Sequence, residues 1–264
     1  MPRKTTKTPA RSGGPIARFL GWILRTILRA LWWIGIRVTA VVAVGLLALT
    51  LWVHSQLPPI EDLLDGRERG SVTLLDRDGN VFAWRGEQGG VLRAGEMSPH
   101  LVNAVVAVED RRFFDHWGIS PRGIASAIRI NLREGRGPLQ GHGGSTITQQ
   151  VAKLVFLGPE VSIARKLWEV PYAFAMELRY SKEEILSIYM NRAYLGAGTT
   201  GFDAAARRYF GVSARAVSPA QSAMLAGLLT APSRYAPTAD LDRAQRRGAT
   251  VLRLMHEQDY LTDA

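Results

Sequence analysis

Residues 38–53 (VTAVVAVGLLALTLWV) form an uncharged run of sixteen, which reaches 23 residues with Arg37 as the one charge when extended back to Leu31. About 20 apolar residues in a helix cross the hydrocarbon core of a bilayer, and an arginine near the end can carry its head to the interface. Trp32, Trp33 and Trp52 stand near the two ends, where aromatic belts lie. A cleaved signal peptide is the rival reading, but it has a shorter apolar core followed by small residues. The exit here, Leu51-Trp52-Val53-His54-Ser55-Gln56-Leu57-Pro58-Pro59, is too bulky for that. The run therefore divides the chain. Residues 1–30 read as a basic cytoplasmic tail and interfacial segment, 31–54 as a transmembrane anchor, 55–97 as a linker and β-hairpin, and 98–264 as the main domain.

Charge follows the same division. Lys+Arg 33 against Asp+Glu 23 gives a formal +10, which over a whole surface would point to nucleic acid. Eight basic residues (Arg3, Lys4, Lys7, Arg11, Arg18, Arg25, Arg29, Arg37) and no acidic one precede Glu61. That leaves 25 basic and 23 acidic side chains beyond, so the excess flanks the anchor and no nucleic-acid partner is expected. The positive-inside rule then puts the N-terminus in the cytoplasm and everything after about His54 outside. Residues 1–15 read as a disordered tail, and 16–36, alternating Arg with Leu, Ile and Trp, suit an interfacial or partly inserted helix. A hydrophobic fraction of 47% excludes disorder over most of the length. The absence of cysteine excludes a disulfide scaffold, Cys-ligated zinc and thiol catalysis.

Pro58-Pro59 marks the exit linker. Residues 71–75 and 80–85 are strand-like around Asp76-Arg77-Asp78-Gly79, a hairpin signal. From Ser98-Pro99 the periodicity is helical, with Leu101, Val105 and Val108 on one face. Helices are expected over 119–132, then 146–157 and 163–178 as apolar buried segments, with a glycine-rich loop at 133–144. Ser181-Lys182-Glu183-Glu184 is a capping box starting a helix to about Asn191. Ser218-Pro219 starts another, to about Leu229, and 240–258 closes the chain. The domain reads as mainly α with a small β-hairpin near the membrane.

Four stretches could carry chemistry. In Glu109-Asp110-Arg111-Arg112-Phe113-Phe114-Asp115-His116-Trp117-Gly118, an apolar helix ends in a carboxylate that burial would tune toward general acid or base work; a solvated helix end with a structural ion pair is the plainer reading. Gly143-Gly144-Ser145-Thr146-Ile147-Thr148-Gln149-Gln150-Val151-Ala152-Lys153 suits a phosphate or sugar at a helix start; a Ser/Thr cap explains part of it but not the paired glutamines. Arg165-Lys166-Leu167-Trp168-Glu169 is either a surface pair or charge on a buried helix that needs partners. Tyr189-Met190-Asn191-Arg192-Ala193-Tyr194-Leu195-Gly196 is, alone, structural. The five histidines show no metal spacing, and His142 in the glycine loop reads as flexible rather than a ligand.

In this order the stretches resemble the peptidoglycan glycosyltransferase family, comprising monofunctional transglycosylases and the N-terminal module of class A penicillin-binding proteins. The resemblance covers roughly 71–264 and includes Ala223-Met224-Leu225-Ala226-Gly227-Leu228 and Ala231-Pro232-Ser233-Arg234-Tyr235-Ala236-Pro237. It implies a lysozyme-like helical fold for 98–264, single-pass attachment to the inner membrane with the domain outside the cytoplasm, and polymerisation of lipid II into β-1,4-linked glycan with release of undecaprenyl pyrophosphate. Glu109 matches the general base. Glu169 matches the second carboxylate, which organises the donor side, often through a divalent cation (Mg or Mn). Asp110, Phe113, His116, Ser145, Thr148, Gln149, Gln150, Lys153, Arg165, Lys166 and Asn191 match substrate-site positions. The nascent glycan strand, the membrane and divisome or elongasome proteins are the implied partners.

Two positions depart from the family pattern. Ser126 and Val161 stand where arginines are common, and Arg122, Arg129 or a metal would have to substitute. Neither Ser-x-x-Lys nor Lys-Thr-Gly occurs, which excludes acyl transfer by this chain; the hairpin wording is that of a bifunctional protein, so a longer natural chain is as expected as not. A lipid II-binding scaffold and a lytic, lysozyme-like enzyme are the competing functions. The lytic enzyme would need one acid glutamate and neither the cation set nor the anchor.

Overall fold

The computed structural model describes residues 15–64, 72–79, 81–85, 90–137, 143–160 and 162–261. His142, Val161 and the tail before residue 15 lie outside them, as do Ser71 and Asn80 of the hairpin. The chain forms two compact units, divided after Leu49.

In the first unit runs helix α1 (Pro15–Gln56), one unbroken helix of 42 residues that continues past the division. The Arg-bearing segment and the uncharged run share this one helix. Its stretch Arg18–Gln56 is long and apolar enough to cross a membrane. Ile16, Leu28, Trp32, Val41 and Val44 are each more than half exposed, while Thr50 and Val53 near the end of the helix are buried; a long exposed apolar helix surface is one that lipid would cover.

The second unit is mainly helical. The short α2 (Ile60–Leu64) precedes strands β1 (Val72–Leu75) and β2 (Val81–Arg85), which pair antiparallel from Val72↔Arg85 to Leu75↔Val81 with an irregularity between Leu74 and Leu75. The turn closes because Asp76 accepts from the Asp78 N–H at 2.9 Å and Gly79 takes a φ of 84°, a conformation that glycine adopts at little cost.

Helices α3 (Pro99–Glu109), α9 (Pro219–Leu228) and α11 (Leu241–His256) pack side by side. Proline at the first helical position opens both α3 and α9. Glycine brings α9 and α11 close: a Cβ at Gly248 would fall 2.9 Å from Met224 Cγ. Leu101, Val105, Leu225 and Val251 are fully buried between them, each contributing roughly 1.5–3 kcal/mol by leaving water. Around this core lie α4 (Pro121–Arg133), α5 (Ile147–Ala152), α6 (Ile163–Arg179), α7 (Lys182–Arg192), α8 (Phe202–Phe210) and α10 (Pro232–Tyr235). The Ser181–Glu184 capping box forms as expected, and Ser218 and Gln221 form a second one at the expected start of α9.

Two expectations need correction. The segment 146–157 is not one buried helix. It is α-helical over Ile147–Ala152, then widens to a π-turn over Lys153–Leu157 in which no residue is fully buried, with Leu154 42% exposed and Val155, Phe156 and Leu157 only partly covered by the core. Nor is α6 wholly buried. Glu169, Ala173 and Met176 face the core while Ile163 and Leu167 are 83% and 67% exposed. Helix α8 was not foreseen, although Gly211 behind it, at φ 72°, is a helix-ending glycine.

Candidate active site

Glu109 is the last residue of α3, half-buried where two cavities meet. The first, about 650 Å³, is lined by Glu109, Ser145, Gln149, Gln150, Lys153, Arg165, Lys166 and Glu169. Eight of the residues expected at a site therefore share one cleft. The second, about 860 Å³, also contains Glu109, Gly143 and Ser145, and continues along Arg111, Arg112, Arg122, Ser126 and Arg129. Glu109 stands in both.

Burial raises the Glu109 carboxyl above its ordinary value; the Gln150 hydrogen bond and the Arg247 charge oppose this, and Asp110 adds to it. Gln150 Nε2 donates to Glu109 Oε2 at 2.9 Å, while among the described residues Oε1 has no hydrogen bond. A carboxylate biased toward protonation, with one oxygen held and one open, is suited to accept a proton.

The wall opposite in charge comes from α6. Glu169, 2% exposed, accepts from Arg165 Nη1 on one oxygen and from Lys166 Nζ on the other at 2.5 Å. Lys166 Nζ also donates to Ser145 Oγ at 2.6 Å. Glu169 thus arrays two cations along the cleft, with Lys153 beside them. Both its oxygens are occupied, and the described residues contain no group of three His, Asp or Glu side chains that could hold a metal ion.

Other expected residues build the scaffold instead. Asp110 Oδ2 accepts from His116 Nε2 at 2.8 Å and from the Ile147 N–H at 3.1 Å, tying the end of α3 to the start of α5; it also lines the second cavity. Phe113 is fully buried with Lys182 Nζ 4.5 Å from its ring centre. Thr148 donates to Glu177 at 2.7 Å. Asn191 holds Leu92 through both ends of its amide. Phe113, His116, Thr148 and Asn191 line neither cavity. The paired glutamines divide their work. Gln149 completes a capping box with Thr146 at 3.1 Å, and Gln150 reaches Glu109.

Arg247 was missed. Its stem crosses α9 where Gly227 has no side chain, since a Cβ there would lie 2.9 Å from Arg247 Cγ. Nη2 then donates to Thr230 at 2.7 Å in the wall of the first cleft. Its position in the polar-looking 240–258 helix gave no local signal; only the Gly227 notch, far away in sequence, sends it inward.

Residues 78–256 match the family model described as Transglycosylase. The chain belongs to the transglycosylase family. The observed helical architecture fits the lysozyme-like fold expected for this transglycosylase domain. Penicillin-binding protein 1A of Neisseria lactamica is 39% identical over 224 residues, covering 84% of this chain and 28% of that protein. The same-named protein of Vibrio cholerae is 37% identical over 214 residues, 81% of this chain and 26% of that one. The chain thus spans about a quarter of the length of these relatives. A crystal structure of penicillin-binding protein 1A from Haemophilus influenzae aligns at a TM-score of 0.40 and 20% identity, over 74% of this chain and 20% of that one.

Proposed function

We propose that the domain polymerises lipid II into β-1,4-linked glycan, releasing undecaprenyl pyrophosphate. The observation that carries this reading is the place of Glu109 at the junction of two cation-walled cavities. A glycosyl transfer between two lipid-linked pyrophosphates needs two anion-binding walls with one base between them. Glu109 Oε1 takes the proton from the acceptor sugar hydroxyl as that oxygen attacks the donor's anomeric carbon, with inversion. The donor's bond to pyrophosphate breaks, and the charge developing on the leaving group is met by Lys153, Arg165 and Lys166. Arg122 and Arg129, on the same wall as Ser126, supply positive charge where the family arginine is missing. Helix α1 would anchor the chain beside a substrate that stays in the bilayer, with its basic end cytoplasmic.

The test is the detergent-solubilised chain incubated with labelled lipid II and read out by glycan length. Polymer that disappears in Glu109→Gln supports the reading. Binding without polymer would make the chain a scaffold, and digestion of preformed strands would make it a lytic enzyme.

A further inference from the structure

Glu109 Oε2 takes its hydrogen bond from a side chain with two unlike ends. The Gln150 amide can present either N–H or C=O to the carboxylate, and only the N–H end favours the ionised form. At the other end of that amide, Tyr189 O–H donates to Gln150 Oε1 at 3.2 Å. Tyr189 lies on α7 and is 2% exposed; among the described residues its hydroxyl has no other hydrogen bond. Burial, with the Glu109 charge adding to it, pushes the phenol well above its ordinary 10.0, so its proton stays on. An amide turned the other way would set a carbonyl against a carboxylate and leave a buried phenol proton without an acceptor, so the orphaned group would keep its desolvation cost with nothing to offset it.

We propose that Tyr189 is a positioning residue for Glu109, acting through Gln150: its buried hydroxyl fixes which end of the amide meets the carboxylate. The three side chains form one donor chain, phenol to amide to carboxylate, across α7, α5 and α3. The chain holds Glu109 Oε2 in place and leaves Oε1 open. The charged groups around Glu109 are otherwise Asp110 beside it, Arg247 from α11, Arg136, Lys153, Arg165, Lys166 and Glu169 lining the first cavity, and Arg111, Arg112, Asp115, Arg122 and Arg129 lining the second. The variants below leave all of them in place.

The importance of this geometry rests on Glu109 being the base, so the first readout does not use activity. In the full chain carrying 13C-labelled glutamate carboxyls, the Glu109 signal is assigned by its loss in Glu109→Gln and followed through a pH titration. Tyr189→Phe should move the Glu109 titration upward, Gln150→Leu should move it at least as far, and Tyr189→Phe added to Gln150→Leu should change nothing more. An unmoved titration in folded Tyr189→Phe, or shifts that add in the double variant, overturns the proposal. If Tyr189→Phe does not fold, fluorotyrosine placed at 189 keeps the shape while strengthening the donor. The titration should then move downward, and no movement overturns the proposal equally.

With lipid II, Tyr189→Phe should lose roughly tenfold in kcat on the acid side, with KM within about twofold and the deficit closing as pH rises. A chain that shows the carboxyl shifts but makes no polymer keeps the positioning role and loses the polymerase reading.

Discussion

Lys166 Nζ lies 2.5 Å from Glu169 Oε2 and 2.6 Å from Ser145 Oγ, so a single ammonium joins α6 to the loop ahead of α5. Its carboxylate partner is 3% exposed at the side chain while the lysine is 48% exposed. The buried member is therefore the fixed one, and the cations are placed by it.

Replacing Glu169 by Gln removes the anion that both cations hold. Polymer formation should fall by about a hundredfold or more, because the leaving-group charges lose their fixed places. Stability should drop by about 1–3 kcal/mol, since Arg165 stays largely covered while Lys166 can turn to water. Urea unfolding and glycan gels measure the two; a Glu169→Gln chain with full turnover would remove Glu169 from the site.

Glu109→Gln should abolish polymerisation by a factor of about 10²–10⁴. Its effect on stability has the opposite sign. A carboxyl whose folded value is raised binds protons more tightly in the native state, so the stabilisation it brings is present at pH below 4.5 and lost as pH rises through the raised value. At neutral pH the glutamine variant should therefore melt higher than the natural chain, and the advantage should vanish in acid. Activity of the natural chain should rise with pH over the same interval. Equal melting temperatures at every pH would show that Glu109 is not strained by burial.

Gly144 lies against α4: a Cβ there would be 2.7 Å from Ile124 Cα and 3.0 Å from its backbone nitrogen. Backbone cannot yield as a flexible side chain can. Gly144→Ala should push Ser145 away from Lys166 and lower turnover roughly tenfold, at a cost of about 1–3 kcal/mol in stability. Unchanged kinetics would show that the loop shifts freely. Gly144 is thus required for the close approach of this loop to α4.

Arg122, Ser126 and Arg129 follow one another along one wall of the second cavity. Arg129→Glu should reduce lipid II turnover by about tenfold or more, with a larger deficit at low salt, where the reversed charge is less screened. Wild-type rates across the salt series would dismiss the substitution of Arg129 for the missing family arginine.

Much was legible before folding because it is local. The apolar run marked the one helix among the described residues that is long and apolar enough to span a membrane, the Ser-Pro and capping-box signals placed the starts of α3, α7 and α9, and the order of the motifs pointed to the family. These features depend on residues within a few turns of each other. Burial of α6 was over-read for the same reason: periodicity shows that a helix has an apolar face but not whether anything covers it.

The tertiary structure decided what the motif residues do. Gln150 and Glu109 stand 41 positions apart, and Asp110 and Ile147 stand 37 apart. Which glutamine caps a helix and which holds the carboxylate is settled only when α3, α5 and α7 meet. Phe113, Thr148 and Asn191 carry the same motif letters as the cleft residues, yet packing turns them inward to support it. Arg247 reaches the cleft because Gly227, twenty positions earlier, leaves room for its stem. A sequence determines which side chains are available; the directions they point come from long-range packing, because burying a core fixes each helix's rotation and leaves only one face for chemistry.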